Sequence, residues 1–174
     1  MSDDKPIDIF LMPGDFFVGD QRYRVRTLLG SCVSITLWHP ALRIGAMSHF
    51  LLPGHSRRKS AREADKPGMY GADAMQLMVD GMAQHGVPLI QCQGKIFGGG
   101  AMFPGAGKAG DIGAQNGDYA RSMLQQYGIH LVSESLYGEG HRQLIFTIRS
   151  GEVLSRQVAP EPGALPERRK RVRA

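Results

Sequence analysis

Two residues in this chain have side chains and a spacing that could carry nucleophilic chemistry, Cys32 and His49. A thiol attacks a carbonyl carbon as its thiolate, and an unperturbed pKa near ~8.5 leaves only a few per cent ionised at neutral pH. An imidazole in contact stabilises that thiolate as an ion pair and can later protonate a leaving group. The pair therefore points to acyl-transfer chemistry, with the substrate left open.

The stretch between them must bring them together. Val33, Ile35 and Leu37 alternate with Ser34, Thr36 and Trp38, the period-2 pattern of a half-buried strand. His39-Pro40-Ala41-Leu42 interrupts the run, because proline cannot donate to a ladder. A second alternation follows, with Ile44, Ala46, Ser48 and Phe50 on one side and Gly45, Met47 and His49 on the other. With those four residues as the connection, Trp38 is predicted to pair with Arg43, Thr36 with Gly45, Ser34 with Met47 and Cys32 with His49. Directly opposed residues share a face with Cβ atoms roughly 4.5–5.5 Å apart. The same register gathers Val33, Ile35, Leu37, Ile44, Ala46 and Phe50 on the opposite, core face, and a slip by one residue would scramble both faces.

Elsewhere the chain reads as an α/β domain rich in antiparallel strands with two principal helices. Strands are expected at 7–12, 16–19 and 23–29, then at 87–97, 129–138, 142–151 and 152–158. Met75, Met78, Val79 and Met82 fall at helical spacing over 71–85, with Gly86 as the C′ residue. Asn116 is the expected N-cap of a second helix whose buried stripe is Ala120, Met123, Leu124 and Tyr127, ended by Gly128. Residues 52–71, charged and punctuated by Pro and Gly, read as a long surface loop.

At 174 residues with 42% hydrophobic content, the chain is long enough to bury a core as one domain over 1–158. Residues 159–174 are expected to form a solvated basic tail, and Arg168, Arg169, Lys170, Arg171 and Arg173 contribute heavily to the net charge of +5. The acidic N-terminus lacks a long apolar run, so no secretory signal is expected, and no stretch approaches the ~18 apolar residues of a membrane span. Two cysteines fit a reducing cytosol better than a disulfide framework, although a Cys32–Cys92 bridge stays open on sequence alone. Gly105-Ala106-Gly107-Lys108-Ala109 lacks the hydroxyl of a phosphate-binding loop, no Cys/His spacing resembles a zinc site, and His39, His85, His130 and His141 read as surface or turn residues. Nucleic-acid binding is not expected, since neither aromatic platforms nor a recognition helix accompany the basic tail. Thr27, upstream of the pair, could offer its hydroxyl to orient the imidazole, but by itself it reads as an ordinary strand threonine.

Beyond this point a resemblance adds to the residues. Thr27 with Leu29-Gly30-Ser31-Cys32-Val33, Gly45-Ala46-Met47-Ser48-His49 with Leu52-Pro53, Asp65 to Tyr70, Lys95 to Gly99 with Met102-Phe103, and Ile112 to Asn116 together resemble CheD, the chemoreceptor glutamine deamidase family. The resemblance spans about Met12 to Val158. It implies hydrolysis of receptor glutamine side chains to glutamate through a thioester, by a Cys–His–Thr triad on Cys32, His49 and Thr27. In an ungapped alignment Arg26 occupies the third position. Donors near Gly30 and Ser31 would steady the oxyanion. It further implies no metal or cofactor, a cytoplasmic location, and partners in the cytoplasmic domain of chemoreceptors and in a CheC-type phosphatase. The implied fold is a β-sandwich-like core of mixed, largely antiparallel sheets with two flanking helices, similar to the cytotoxic necrotising factor catalytic fold. The competing expectation is a non-catalytic, receptor-binding adaptor.

Overall fold

The computed structural model describes residues 4–56, 66–102 and 111–158. In chain order its elements are β1 (Ile7–Leu11), β2 (Phe16–Asp20), β3 (Tyr23–Leu29), β4 (Val33–His39), β5 (Ile44–Ser48), α1 (Gly71–Gln84), β6 (Gln93–Gly98), α2 (Ile112–Gln126), β7 (His130–Leu136), β8 (His141–Thr147) and β9 (Glu152–Val158). They form two sheets, a four-stranded one in the order β1-β3-β8-β9 and a five-stranded one in the order β2-β5-β4-β6-β7. Strand pairs β1–β3 and β6–β7 are parallel and the rest antiparallel, the mixed arrangement expected for an α+β domain. Residues 57–65 of the expected surface loop, residues 103–110 with the Gly105–Ala109 run, and the basic tail (159–174) lie outside the described residues.

Each face of the five-stranded sheet meets a different partner because its strands alternate. Val33, Ile35, Leu37, Ala46, Phe50 and Ile96 pack with Met75, Met78 and Met82 of α1 and with Ala120, Met123 and Leu124 of α2. Burying each of the Val, Ile, Leu, Phe and Met side chains contributes roughly 1.5–3 kcal/mol relative to leaving it exposed. On the other face, Met47 and Phe97 meet Val25, Leu29, Leu144 and Phe146 of the four-stranded sheet. The result is three layers, helices on sheet on sheet. Gly45 fits this interface because a Cβ there would lie 2.9 Å from the Phe146 ring.

The β4–β5 hairpin keeps the predicted faces but not the predicted register. Thr36 pairs with Met47, Trp38 with Gly45 and His39 with Ile44, and an isolated bridge joins Val33 to Phe50. The shift is two residues, so side-chain parity survives while Cys32 lies diagonal to His49 instead of opposite it. The cause is in the turn. His39 stays in the strand, its carbonyl accepts from Arg43 N (2.9 Å), and its Nδ1 accepts from Leu42 N (3.0 Å). The connection is therefore Pro40–Arg43, closed by Arg43 at φ 52°.

Other expectations are corrected in the same way. The run 87–97 is not one strand: Pro88 precedes a 3-10 turn, Leu89–Gln91, closed by Cys92 N donating to Leu89 O (3.0 Å), and β6 begins at Gln93. Asn116 is not a cap. Asp111 caps α2, its carboxylate accepting from Gly113 N and Ala114 N at 3.0 and 3.3 Å, and Asn116 lies buried inside the helix. The expected C-terminus of α1 stands, with Gly86 at φ 69°.

The inter-sheet layer should dominate stability over the outer face. Phe146→Ala is expected to cost about 3–5 kcal/mol in urea unfolding. Leu154→Ala, at a residue 56% exposed, should stay within about 0.5 kcal/mol.

Candidate active site

Thr27 and His49 are in contact and Cys32 lies diagonal to His49 across the hairpin, each supplied by a different segment. The inward alternation of Val25, Thr27 and Leu29 in β3 turns the Thr27 side chain away from solvent. His49 follows β5, its backbone held by His49 N donating to Asp15 O (3.1 Å) and His49 O accepting from Gly14 N (2.8 Å). Thr27 Oγ1 lies 2.7 Å from His49 Nδ1 and 2.8 Å from Leu11 O. A hydroxyl has one proton and a carbonyl can only accept, so Thr27 donates to Leu11 O and accepts from His49 Nδ1–H. That assigns the neutral imidazole its tautomer and leaves Nε2 with a free lone pair. Arg26 points to the opposite face, where its Nε donates to Asp8 Oδ1 at 3.3 Å.

Cys32 sits in the Gly30–Cys32 turn between β3 and β4, partly exposed and packed at the edge of the inter-sheet core. All three carbonyls of this turn are tied down. Gly30 O accepts from Gly100 N (2.9 Å), Ser31 O from Asn116 Nδ2 (3.0 Å) and Cys32 O from Gly99 N (2.9 Å). In a planar trans peptide the N–H points opposite the C=O, so the Ser31 and Cys32 amides face away from Gly100 and Asn116. The buried guanidinium of Arg142 holds the neighbouring peptide from behind, Nη1 donating to Gly98 O at 2.7 Å and Nη2 to Tyr137 O at 2.9 Å. Gly98 is required here. Its φ is 113°, and a Cβ would meet Cys32 O at 2.3 Å.

Among the described residues, the buried side-chain atoms without a hydrogen-bond partner are Ser34 Oγ, Asn116 Oδ1 and Arg142 Nε. Ser34 stands at the register position opposite His49, and the other two hold the Cys32 turn and its support. Sequence reasoning missed Asn116 and Arg142 in these roles. Both act on backbone carbonyls far away in the chain, and no local pattern reports that.

Burial sets the protonation of the pair. It raises the Cys32 thiol to about 11, opposed by the residue's own backbone amide. It lowers His49 to about 4, with the Asp15 carboxylate opposing, Lys66 reinforcing and the Leu11 carbonyl opposing. The resting pair is thus neutral thiol and neutral imidazole, not the preformed ion pair expected from residue types. Cys92 is buried behind α1, its thiol also raised to about 11 by burial, and both cysteines are free. His39 is buried, its Nε2 2.8 Å from Gln91 Oε1, whereas His55, His85, His130 and His141 are exposed. Among the described residues no group of three or more His, Cys, Asp or Glu side chains is arranged to hold a metal ion, and no helix is long and apolar enough to cross a membrane.

The His49 shift has a stability consequence with a defined sign. The unfolded imidazole takes up a proton near 6.5 and the folded one only near 4, so its contribution is complete above pH 6.5 and is lost as pH falls through 4. The loss should reach on the order of 3 kcal/mol by pH 4. Urea unfolding at pH 7, 5.5 and 4 is expected to show a flatter pH dependence for His49→Gln than for the wild type.

The chain is similar to known proteins over most of its length. The family model described as CheD chemotactic sensory transduction matches residues 51–157. The chain is 54% identical over 158 residues to a probable chemoreceptor glutamine deamidase CheD 2 of Albidiferax ferrireducens, covering 90% of each protein. It is 40% identical over 151 residues to a probable chemoreceptor glutamine deamidase CheD 1 of Chromobacterium violaceum, covering 86% of this chain and 77% of the relative. With a probable chemoreceptor glutamine deamidase CheD 3 of Dechloromonas aromatica it shares 42% identity over 147 residues, 84% of this chain and 85% of the relative. A match over 90% of a chain of this length takes in the whole stretch from Thr27 to His49. The chain belongs to the CheD family.

Proposed function

We propose that this protein hydrolyses the side-chain amide of selected glutamines in the cytoplasmic domain of chemoreceptors, yielding glutamate and ammonia, with Cys32, His49 and Thr27 as its catalytic triad. The observation that carries the reading is the Leu11–Thr27–His49 hydrogen-bond chain, which leaves Nε2 as the basic nitrogen of His49, a residue diagonal to Cys32 across the hairpin. The names of the relatives supply the substrate class.

The residues then divide the work. His49 Nε2 takes the thiol proton as Cys32 Sγ bonds to the glutamine Cδ, and the C=O π electrons move onto oxygen. The Ser31 and Cys32 amides, turned away from their pinned carbonyls, donate to that oxyanion. As the carbonyl re-forms, the C–N bond breaks, His49 Nε2–H protonates the departing nitrogen, and ammonia leaves a thioester on Cys32. His49 next deprotonates water, which attacks the thioester carbon. The thiolate leaves and recovers its proton, and glutamate is released. Acylation and deacylation, each taken whole, return His49 to the neutral tautomer that Thr27 holds. A CheC-type phosphatase belongs to this reading as a regulatory partner, and co-purification with the chain would test it.

The experiment is glutamine-to-glutamate conversion in purified receptor cytoplasmic fragments, read by peptide mass spectrometry. Wild type should convert, Cys32→Ala should fall to background, and His49→Ala should lose about 10²–10⁴-fold. Thr27→Val should lose about tenfold or more, the worth of one buried hydrogen bond, while Arg26→Ala stays close to wild type. Because the base is the neutral imidazole, kcat/KM should rise with pH through about 4 and hold a plateau across neutrality. Conversion that survives in Cys32→Ala would overturn the mechanism. Intact receptor binding without conversion by wild type would instead support the non-catalytic adaptor.

A further inference from the structure

Asn116 is fully buried in the second turn of α2, an interior helix position for which asparagine has poor propensity. A buried asparagine is ordinarily kept by hydrogen bonding both ends of its amide. Here only one end is used. Nδ2 donates both protons to backbone carbonyls, Ser31 O at 3.0 Å and Leu51 O at 2.8 Å, while Oδ1 has no partner among the described residues. The position is therefore committed to two donors at the expense of an orphaned acceptor.

The two carbonyls are not arbitrary. Ser31 immediately precedes Cys32, and Ser31 O shares a peptide plane with the Cys32 amide. Leu51 lies two residues after His49, in the segment whose bridge partner is the strand beginning at Val33. One side chain thus ties the nucleophile's turn to the base's segment. The helix surface around it is cut down so that this reach is possible. A Cβ on Gly113 would lie 2.6 Å from Gly100 O, and one on Gly117 would lie 2.8 Å from the Tyr137 ring. Residues 113, 116 and 117 share one face of α2 at i, i+3 and i+4 spacing, and this face lets the helix backbone close onto the Gly99–Gly100 segment.

We propose that Asn116 is a positioning residue, whose amide fixes the Ser31–Cys32 peptide so that the Cys32 N–H meets the developing oxyanion, and which holds that turn at a set separation from His49. The inference rests on the deamidase reading and deepens it. Asn116 touches no reacting atom. Its effect passes through the peptide plane, so it should act on the chemical step and leave substrate association largely alone.

The test measures kcat and KM separately on receptor fragments for wild type, Asn116→Ala and Asn116→Asp, with Met78→Ala as a variant that weakens the α1 core away from the turn. In variants shown to be folded at the assay temperature, kcat should fall about 10–100-fold with KM within about twofold. Met78→Ala should lose stability but keep its kcat. A second measurement needs no variant to fold: in the wild type, the two Nδ2 protons of Asn116 should exchange with solvent far more slowly than those of exposed amides. Folded Asn116 variants with kcat within threefold of wild type, or a loss confined to KM, would overturn the inference. So would fast exchange of the Nδ2 protons. Failure of the wild type to convert glutamine would count against the deamidase reading instead, because slow Nδ2 exchange is read without activity.

Discussion

The hydrogen bond between Thr27 Oγ1 and His49 Nδ1 is the interaction on which the rest of the site depends, because it crosses from one sheet to the other. Thr27 belongs to the four-stranded sheet and His49 leaves the end of β5 in the five-stranded one. Parallel pairing of β1 with β3 sets Leu11 beside Thr27, which is why the Leu11 carbonyl is in place to take the hydroxyl proton. The tautomer of His49 is thus set by the register of a strand pair that does not include it. The bond survives only while the sheets stay in contact, and Met47, Phe97, Leu144 and Phe146 between them hold that contact. Packing and protonation are in this sense one constraint.

The Cys32 turn is governed by backbone geometry more than by its side chain. Glycines at 98, 99 and 100 bring main chain against main chain, and the amides of Gly99 and Gly100 take the turn's outer carbonyls. Asn116 and Arg142 hold the peptides on either side. Arg142 is a buried cation whose bonds go to the carbonyls of Gly98 and Tyr137, residues in the left-handed region. Desolvation by burial lowers its pKa from the ordinary arginine value, and the carbonyl dipoles offset part of that cost. Among the described residues, the unsatisfied buried atoms of Asn116 and Arg142 collect around this turn and its support.

Much of this was legible because short-range rules apply to it. Alternation in 33–38 and 44–50 assigned the faces of the hairpin, and the methionine stripe placed α1. The register differs by two from the alternation's expectation because His39 remains paired beyond Trp38 and Arg43 closes the turn. Parity protected the functional conclusion from that difference. Asn116 departs from the expected cap for a different reason. Its residue type favours helix caps, but Asp111 occupies the cap and the partners of Asn116 are more than sixty residues away in sequence. The inward face of Thr27 was implicit in the alternation of Val25, Thr27 and Leu29, yet its partner His49 lies on the other sheet and no periodicity reveals it. Long-range polar contacts are where local reasoning ends.

The claim that Thr27 and Leu11 dictate the state of His49 is most directly tested by nitrogen NMR of the imidazole in the wild-type protein at neutral pH. The account predicts a neutral ring carrying its proton on Nδ1, with Nε2 showing the signature of an unprotonated nitrogen, and loss of that preference in Thr27→Val. A ring protonated on Nε2, or an imidazolium at pH 7, would contradict it.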